Sequence, residues 1–397
     1  MKPLPVLLAC VLLWPLSVSA QSTDPFTSPR VHIGPFAVAP LISITNVGVD
    51  TNVFNELDNP KSDFTATITP AAGVGIRLGR ARVDARLSGS YFFFAKYAEE
   101  RSLGTNDRVR LEFDLLHVTP WAETSFLWVR DRPTYEIDLR LRRTEKAVSG
   151  GVDFSVSKRT TLGFSLRRVH TDYVSGNTSV GSSVAEALTG TTTVETASVR
   201  YALTPLTTLV MAADVVRDRF EFSSERDSDS LRVMPGVELA ASALISGSAR
   251  VGYRHLSMLT PGIPDYTGPV AAVNIGYTLM GVTRFTVAVN RDVQYSYDPE
   301  QPYYLLTGVT ASVSQAVGGP WSVNARTSLQ RLAYQAVELL GLPGRVDVVR
   351  SYGVGAGYRL GSATTLGFNV DYFTRQSALD ARQYRGLRAG SSITYGF

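Results

Sequence analysis

The chain has 397 residues, with 39 basic and 35 acidic side chains, and its basic residues are scattered instead of clustered, so no region is typical of nucleic-acid binding. Its single cysteine is Cys10, inside the N-terminal segment that we expect to be removed, which excludes a disulfide in the mature protein.

The N-terminus has the pattern of a secretory signal peptide. Lys2 supplies a positive charge, residues 4–13 are apolar, and Ala20 ends a small-residue cleavage site. The alternative is a lipoprotein signal that ends at Cys10, but its apolar segment would have only about six residues. We therefore predict a signal peptide at residues 1–20, a short periplasmic segment at 21–35 and a single folded domain at 36–397.

Apolar and polar residues alternate from residue 36 to the end of the chain. Leu366, Phe368 and Val370, for example, alternate with polar or small residues, so each strand has one apolar and one polar face. The alternating segments are mostly about 12–17 residues long, whereas strands of soluble sandwiches are usually about 5–6. No later segment reaches the roughly 18 apolar residues of a membrane helix. In lipid this pattern predicts a closed barrel, because only helices and closed barrels satisfy every backbone group there.

Tight turns alternate with longer, more polar loops along the chain. Short turns on one side and long loops on the other are typical of outer-membrane barrels. The fold class is therefore all-β: a transmembrane antiparallel up-and-down barrel of about 18 strands (about 16–20), with short periplasmic turns and longer extracellular loops. The tight turns are expected at the following pairs: Gly79-Arg80, Thr119-Pro120, Ser157-Lys158, Thr204-Pro205, Ser246-Gly247, Gly281-Val282, Gly318-Gly319 and Gly361-Ser362.

Aromatic residues concentrate near strand ends, which predicts two girdles at the membrane–water interfaces. Those expected on the turn side are Trp121, Tyr201, Tyr277, Trp321, Tyr358 and Tyr395. The chain ends in Phe397, with Tyr395 two positions earlier. This ending resembles the segment that the outer-membrane assembly machinery recognises, so we predict that Tyr395 and Phe397 form an assembly signal.

The start of the barrel resembles a known family. The residues that carry the resemblance are 48–54 (GVDTNVF), Ser62-Asp63 and Pro70, in a D-x-N-[VI]-[FY] pattern that opens the barrel. They resemble the putative β-barrel porin 2 family of outer-membrane proteins. The resemblance implies a role connected with export of extracellular polysaccharide, and polysaccharide export components as partners. It implies no catalytic residues.

The polar face of the strands carries charges of both signs. They have two interpretations: an ion-pair lattice that makes a wide lumen wettable, or a surface that contacts a passing solute. Arg291 breaks the phase of its strand and is expected at an interface or a bulge. The predicted lumen-lining residues are Arg82, Asp84, Arg86, Lys96, Arg108, Arg110, Glu112, Asp114, Arg250, Arg254, Arg326, Asp347, Arg359, Asp371 and Arg388.

About 18 strands enclose a lumen too wide for side chains alone to fill. No loop is long enough for a folded plug, and residues 175–188 are expected to form an external loop. We predict a water-filled channel for hydrophilic solutes in the bacterial outer membrane, with no enzymatic activity, cofactor, metal or nucleic-acid partner. The alternatives are a lipase- or protease-like barrel, for which His170 and Asp172 share a strand face, and a structural or adhesive barrel. The oligomeric state stays open.

Overall fold

The structure is a computed structural model that describes residues 31–174, 179–337 and 344–396. The predicted signal peptide and Phe397 therefore lie outside the described residues. The described strands are β1 (Val31–Ile33), β2 (Phe36–Asp50), β3 (Asp63–Leu78), β4 (Ala81–Phe94), β5 (Ser102–Phe113), β6 (Val118–Asp131), β7 (Leu141–Ser155), β8 (Thr160–Tyr173), β9 (Gly190–Thr204), β10 (Thr207–Phe220), β11 (Ser228–Leu239), β12 (Ile245–Met258), β13 (Tyr266–Leu279), β14 (Thr283–Tyr295), β15 (Tyr303–Gly318), β16 (Trp321–Gln335), β17 (Val346–Leu360), β18 (Thr364–Gln376) and β19 (Tyr384–Gly396). Helix α1 (Ser179–Leu188) lies between β8 and β9, and 3-10 turns occur at Ala98–Glu100, Ser224–Arg226 and Asp380–Arg382.

Strands β2 to β19 form a closed antiparallel barrel. Each strand pairs with its neighbour in the chain, and β19 pairs with β2 from Arg388↔Asp50 to Gly396↔Leu41. The short strand β1 pairs with the first residues of β2, beyond the end of β19. The prediction of an 18-stranded barrel is confirmed. Among the described residues, no helix combines the length and apolar character needed to cross a membrane.

The apolar rows of the strands face outwards. Phe164, Val354 and Leu329 are 51%, 60% and 45% exposed, although each lies in the middle of a strand. Paired residues of neighbouring strands share a face, and Val354 is paired with Val370 and Ala325. The barrel therefore presents a continuous apolar wall to lipid, and its polar rows line the lumen.

A bulge in β2 keeps both halves of that strand in phase with the wall. Ile44 pairs with Ile393 and Val47 with Ser391, and both apolar side chains belong to the outer face. Ile44 and Val47 are an odd number of positions apart, so one extra residue is needed between them. Asn46 supplies it with a positive φ of 54°, which asparagine adopts more easily than most residues.

Two predicted turns were wrong. The connection between β5 and β6 runs from residue 114 to 117, so Thr119-Pro120 lies inside β6. The connection between β11 and β12 runs from 240 to 244, so Ser246-Gly247 lies inside β12. The Thr-Pro pair does not form a turn, because proline and the residue before it are also compatible with extended backbone.

The aromatic residues on the turn side do not all face lipid. Trp321 and Tyr358 pack edge-to-face with their ring centroids 4.8 Å apart, and both belong to the outer rows. Trp121 instead pairs with the inward Glu112, and the Arg110 guanidinium lies 4.2 Å from its ring centroid. The prediction that Trp121 belongs to the girdle was wrong. Its position in β6 directs the side chain into the lumen, where it forms a cation–π contact.

Candidate functional site

One side of the lumen carries a ladder of ion pairs that runs from β4 to β12 and reaches Asp292 on β14. On β5 and β6, Glu123 accepts hydrogen bonds from Arg108 (2.5 Å) and Arg110 (3.5 Å). On β11 and β12, Arg250 donates to Glu238 at 2.5 Å. Most charges on this side thus have an opposite charge beside them, which favours the lattice interpretation over a bare binding surface. Further pairs in the ladder are Arg82–Asp84, Arg110–Glu112, Arg200–Asp153, Arg232–Asp214, Arg232–Asp292 and Arg254–Asp292.

The opposite side of the lumen, from β13 to β19, is mostly uncharged. Its inward positions carry amides, hydroxyls and glycines that touch one another across strands. We call this surface the neutral arc; it contains Asn274, Thr286, Asn290, Gly308, Thr310, Ser312, Ser322, Asn324, Ser328, Gly353, Gly355, Gly357, Gly367, Asn369 and Ser392.

One ion pair lies among the residues of the neutral arc, and it crosses a glycine. Arg326 on β16 donates two hydrogen bonds to Asp371 on β18, at 2.8 and 2.5 Å. These strands are not neighbours, because β17 lies between them. Gly353 on β17 makes the bridge possible, since a Cβ there would collide with the Asp371 carboxylate and the Arg326 guanidinium.

Most predicted lumen residues lie on inward strand faces, but two do not. Lys96 follows β4 in a loop, and its Nζ donates to the Ser62 carbonyl at 3.2 Å. The chain turns there because the Asp63 carboxylate accepts the backbone N–H groups of Lys96 and Tyr97. Asp114 lies in the exposed connection after β5. Both placements were wrong.

The remaining predicted residues differ in their pairing. Arg388 donates to Asp50 at 2.7 Å, and Asp347 accepts from Arg375 at 2.6 Å. Within the ranges that the structure describes, the side chains of Arg86 and Arg359 have no hydrogen bond or ion pair.

Sequence reasoning missed a closure across the extracellular mouth. Its centre is the segment Arg132–Arg140 between β6 and β7, which folds inwards and which we call the closing loop. Arg132 donates to the Val53 carbonyl at 2.7 Å, Asn55 to the Asp138 carboxylate at 3.4 Å, and Ser296 to the Glu136 carboxylate at 2.6 Å. The closing loop therefore contacts chain segments from widely separated parts of the barrel wall.

Buried ion pairs hold the closing loop to β17 and β18. The fully buried Arg375 donates to Asp138 (2.9 Å), to Asp347 (2.6 Å) and to the carbonyls of Tyr135 and Glu136 (each 3.2 Å). Because Asp347 is also fully buried, neither charge has water as a substitute partner.

Apolar contacts fill the rest of the closure. Ile137 of the closing loop is 1% exposed and Val184 of α1 is fully buried. They pack in one cluster with Leu141, Leu188 and Tyr297. The segment 175–188 was expected to be an external loop, but its described part folds into the mouth because α1 has an apolar face to bury.

The extracellular ends of β14 and β15 also bend into the lumen. Tyr295 donates to Asp218 of β10 at 2.7 Å, and Arg226 donates to the Ser296 carbonyl at 2.8 Å. Tyr304 is fully buried and its ring centroid lies 5.1 Å from that of Tyr334. β13 stops pairing with β14 at Ala271↔Arg291, which frees the end of β14 to leave the wall. Arg291 lies at this divergence on the outer face and donates to Thr307 at 2.8 Å.

Burial changes the ionisation of groups in the closing loop. It raises the pKa of Glu136 to about 7, although Ser296 and nearby arginines pull that pKa down. It raises the pKa of Asp138, with Arg375 acting in the opposite direction. It lowers the pKa of Arg132, and lowers that of Arg140 to about 9. The closure therefore contains one group, Glu136, that can change charge near neutral pH.

The structure does not assemble a catalytic site around His170. Leu166, Arg168, His170 and Asp172 share the outer face of β8, where Leu166 is exposed. The His170 Nδ1 lies 3.2 Å from Thr191 Oγ1 and 3.7 Å from Glu221 Oε1. In the described ranges, no group of three or more His, Cys, Asp or Glu residues could hold a metal ion.

A match to a known family model shows which family the chain belongs to. The family model described as "Putative beta-barrel porin 2" matches residues 24–396. The chain belongs to this porin family. It is thus a porin-like channel protein for solutes in the bacterial outer membrane.

Solved structures of other porins are similar to this family member in fold. The outer membrane protein opdK from Pseudomonas aeruginosa has 8% sequence identity and a TM-score of 0.50, over 91% of this chain and 98% of its own. OccAB3 from Acinetobacter baumannii has 8% identity and a TM-score of 0.49, over 91% and 99%. A BenF-like porin from Pseudomonas fluorescens Pf-5 has 10% identity and a TM-score of 0.48, over 91% and 97%. No curated protein matches the chain significantly in sequence.

Proposed function

We propose that this porin conducts uncharged hydrophilic solutes, by passive passage or export, and that sugar chains are its substrate class. The observation that carries the proposal is the neutral arc opposite a ladder of mostly paired charges. Asn324, Asn369 and Ser328 offer hydrogen-bond donors and acceptors to hydroxyl groups without a strong net field. The glycines of β17 leave room for these polar side chains to meet across the strand, as the Asn369 amide does above Gly355.

Export of extracellular polysaccharide is the finer form of this proposal. The family resemblance supports it, and so does the surface chemistry of the neutral arc. In this form, residues 1–20 are cleaved on secretion, Tyr395 and Phe397 guide insertion by the assembly machinery, and polysaccharide export components act from the periplasm.

The closing loop sets the resting state in this proposal. Its hydrogen bonds reach Val53 on one side and Ser296 on another, so a solute can leave only when the closing loop moves. A short loop with a few buried ion pairs can be displaced more easily than a folded plug domain, because fewer contacts must break.

Bilayer conductance with graded sugars tests the proposal. The purified protein is inserted into planar bilayers, and current is measured while oligosaccharides of increasing size are added. We expect uncharged oligosaccharides to reduce the current by entering the lumen, and a variant that lacks the closing loop to conduct more. If oligosaccharides leave the current of both proteins unchanged, sugar passage is excluded.

A deletion strain tests the finer form. Loss of extracellular polymer that returns with the wild-type gene supports polysaccharide export. Unchanged polymer would contradict export while leaving sugar conductance to be judged by the bilayer experiment.

A further inference from the structure

The outer wall carries a basic patch on the extracellular half of β7 to β10. Strand pairing aligns His170, Thr191 and Arg219 in one row, and Arg168, Thr193 and Arg217 in the row below. These side chains belong to the same face as Leu166, which is 52% exposed on the lipid side. They therefore point away from the lumen, and Lys146 extends the upper row onto β7.

The patch forms a groove with an unpaired guanidinium. Arg168, Arg217 and Arg219 line it together with the hydroxyls of Thr191 and Thr193, and its remaining lining is Phe220 and Glu221, whose carboxylate lies 3.7 Å from the His170 Nδ1. Arg217 donates to Glu195 at 2.7 Å and Arg219 to Asp229 at 2.6 Å. In the part of the chain that the structure describes, Arg168 has no such carboxylate. Guanidinium groups beside hydroxyl donors are suited to a phosphate group.

An apolar groove continues directly below the basic one. Its lining includes Leu166, Phe164, Ala197, Ala213 and Val215. Phe164, Ala197 and Ala213 are paired in one row across three strands. The small alanines thus form a floor beside larger apolar side chains, which is a shape suited to a hydrocarbon chain.

The vertical order of the two grooves matches a lipid of the outer leaflet. The basic groove is nearer the extracellular loops, and the apolar groove is further along the same strands towards the membrane centre. An arginine on the lipid face costs roughly 2–4 kcal/mol at the midplane but about 0–1 near an interface. A ligand with a phosphate above and an acyl chain below would contact both grooves at once.

We propose that this wall is a specific binding site for a phosphorylated glycolipid of the outer leaflet, with its phosphate at Arg168, Arg217 and Arg219 and an acyl chain over Ala197 and Ala213. The site is outside the lumen and is independent of what the channel conducts. The oppositely charged Glu195 and Asp229 hold two of the arginines in place and leave Arg168 as the free cation.

A matched pair of arginine variants tests the site. Arg331 is also an exposed, outward-facing arginine without an ion pair in the described ranges, but it lies across the barrel on β16. The full-length protein is delipidated in detergent and titrated with bisphosphorylated lipid A, and bound lipid is counted by native mass spectrometry. Arg168→Gln should weaken binding about tenfold, as expected for loss of one charge-assisted contact, whereas Arg331→Gln should not.

The apolar groove is tested separately. Ala213→Leu fills it without removing a charge, and should also weaken binding of lipid A. Heat-dependent migration on gels verifies that each variant is folded. Equal binding by wild type and Arg168→Gln, an equal loss in Arg331→Gln, or equally tight binding of dephosphorylated lipid A or phosphatidylglycerol would each overturn the proposal.

Discussion

The wider lumen and the extracellular closure use the same ionic chemistry in different surroundings. Arg326 and Asp371 in the lumen are 21% and 25% exposed, whereas Arg375 and Asp347 in the closure are fully buried. An exposed pair contributes about 0–1 kcal/mol, because water can replace either partner. Removing one member of a buried pair costs far more stability, because the remaining charge stays buried without a partner. The comparison indicates that the lumen tolerates changes of charge and that the closure does not.

Removing the central cation of the closure should have the largest effect. Arg375→Met would leave the fully buried Asp347 and the partly buried Asp138 without their shared partner, at a cost of about 3–5 kcal/mol. We expect the closing loop to leave the mouth, and single-channel conductance to rise. Arg326→Met is the control in the lumen, where conductance should change little. Equal responses of the two variants would show that burial does not distinguish these regions.

The closure should weaken as pH rises. Burial raises the pKa of Glu136 to about 7, so the closed state binds a proton that the solvated side chain would release at lower pH. The stabilisation of the closed state by this proton is therefore complete below the ordinary glutamate pKa and is lost progressively as the pH rises to about 7. Above that pH the closed state is less stable by up to about 3 kcal/mol. The charged or titratable groups around Glu136 are Arg226, Tyr297, Tyr304, Tyr334, Arg345, Arg375 and Arg382.

Conductance at different pH values measures this effect. Wild-type current should increase between pH 5 and pH 8. Glu136→Gln cannot ionise, so it should remain closed at both values. A wild-type current that does not vary, or a Glu136→Gln current that varies as the wild type does, would argue against Glu136 as the sensitive group.

A smaller effect is expected from overfilling the neutral arc. Gly353→Ala places a methyl group between Arg326 and Asp371, which should separate the pair and destabilise the barrel by about 1–3 kcal/mol. Gly357→Ala is the matched control on the same strand, because its Cβ would meet mainly the movable Ser322 hydroxyl. Thermal unfolding in detergent should distinguish the two. Similar melting temperatures would mean that the bridge contributes nothing to stability.

The smallest expected effect concerns ion selectivity. In the described ranges, Arg86, Arg167, Arg284 and Arg359 face the lumen without an ion pair, so the open channel should prefer anions weakly. Reversal potentials in a KCl gradient measure this preference, and Arg86→Gln should reduce it. A cation preference in the wild type would contradict the interpretation that the lumen charges are mostly ion-paired and that the unpaired ones are arginines.

The sequence predicted the wall well because the wall depends on local periodicity. Residues such as Leu366 and Phe368 face lipid whatever lies across the barrel, so alternation alone assigns their face. The same reasoning placed Arg82 and Asp84 inside. It failed for Lys96, because the end of β4 is set by Asp63, more than thirty positions away.

The closure could not be predicted in this way. Glu136 meets Ser296 at a sequence separation of 160, and Arg375 meets Asp138 at 237, and no local pattern encodes such contacts. One signal was present: Arg132–Arg140 interrupts the alternation with charged residues around Tyr135 and Ile137. A loop in contact with water has little reason to carry such large apolar side chains between its charges.

The seam of the barrel has a consequence for how the protein is assembled. Every strand pair of the barrel joins neighbours in the chain except one, in which Arg388 meets Asp50 across 338 positions. Hairpins can therefore form one after another at small entropic cost, whereas joining the two ends must wait for nearly the whole chain. Until then both outermost strands carry open hydrogen-bonding edges that can capture another chain. The rate at which this last junction forms should set the balance between insertion and aggregation.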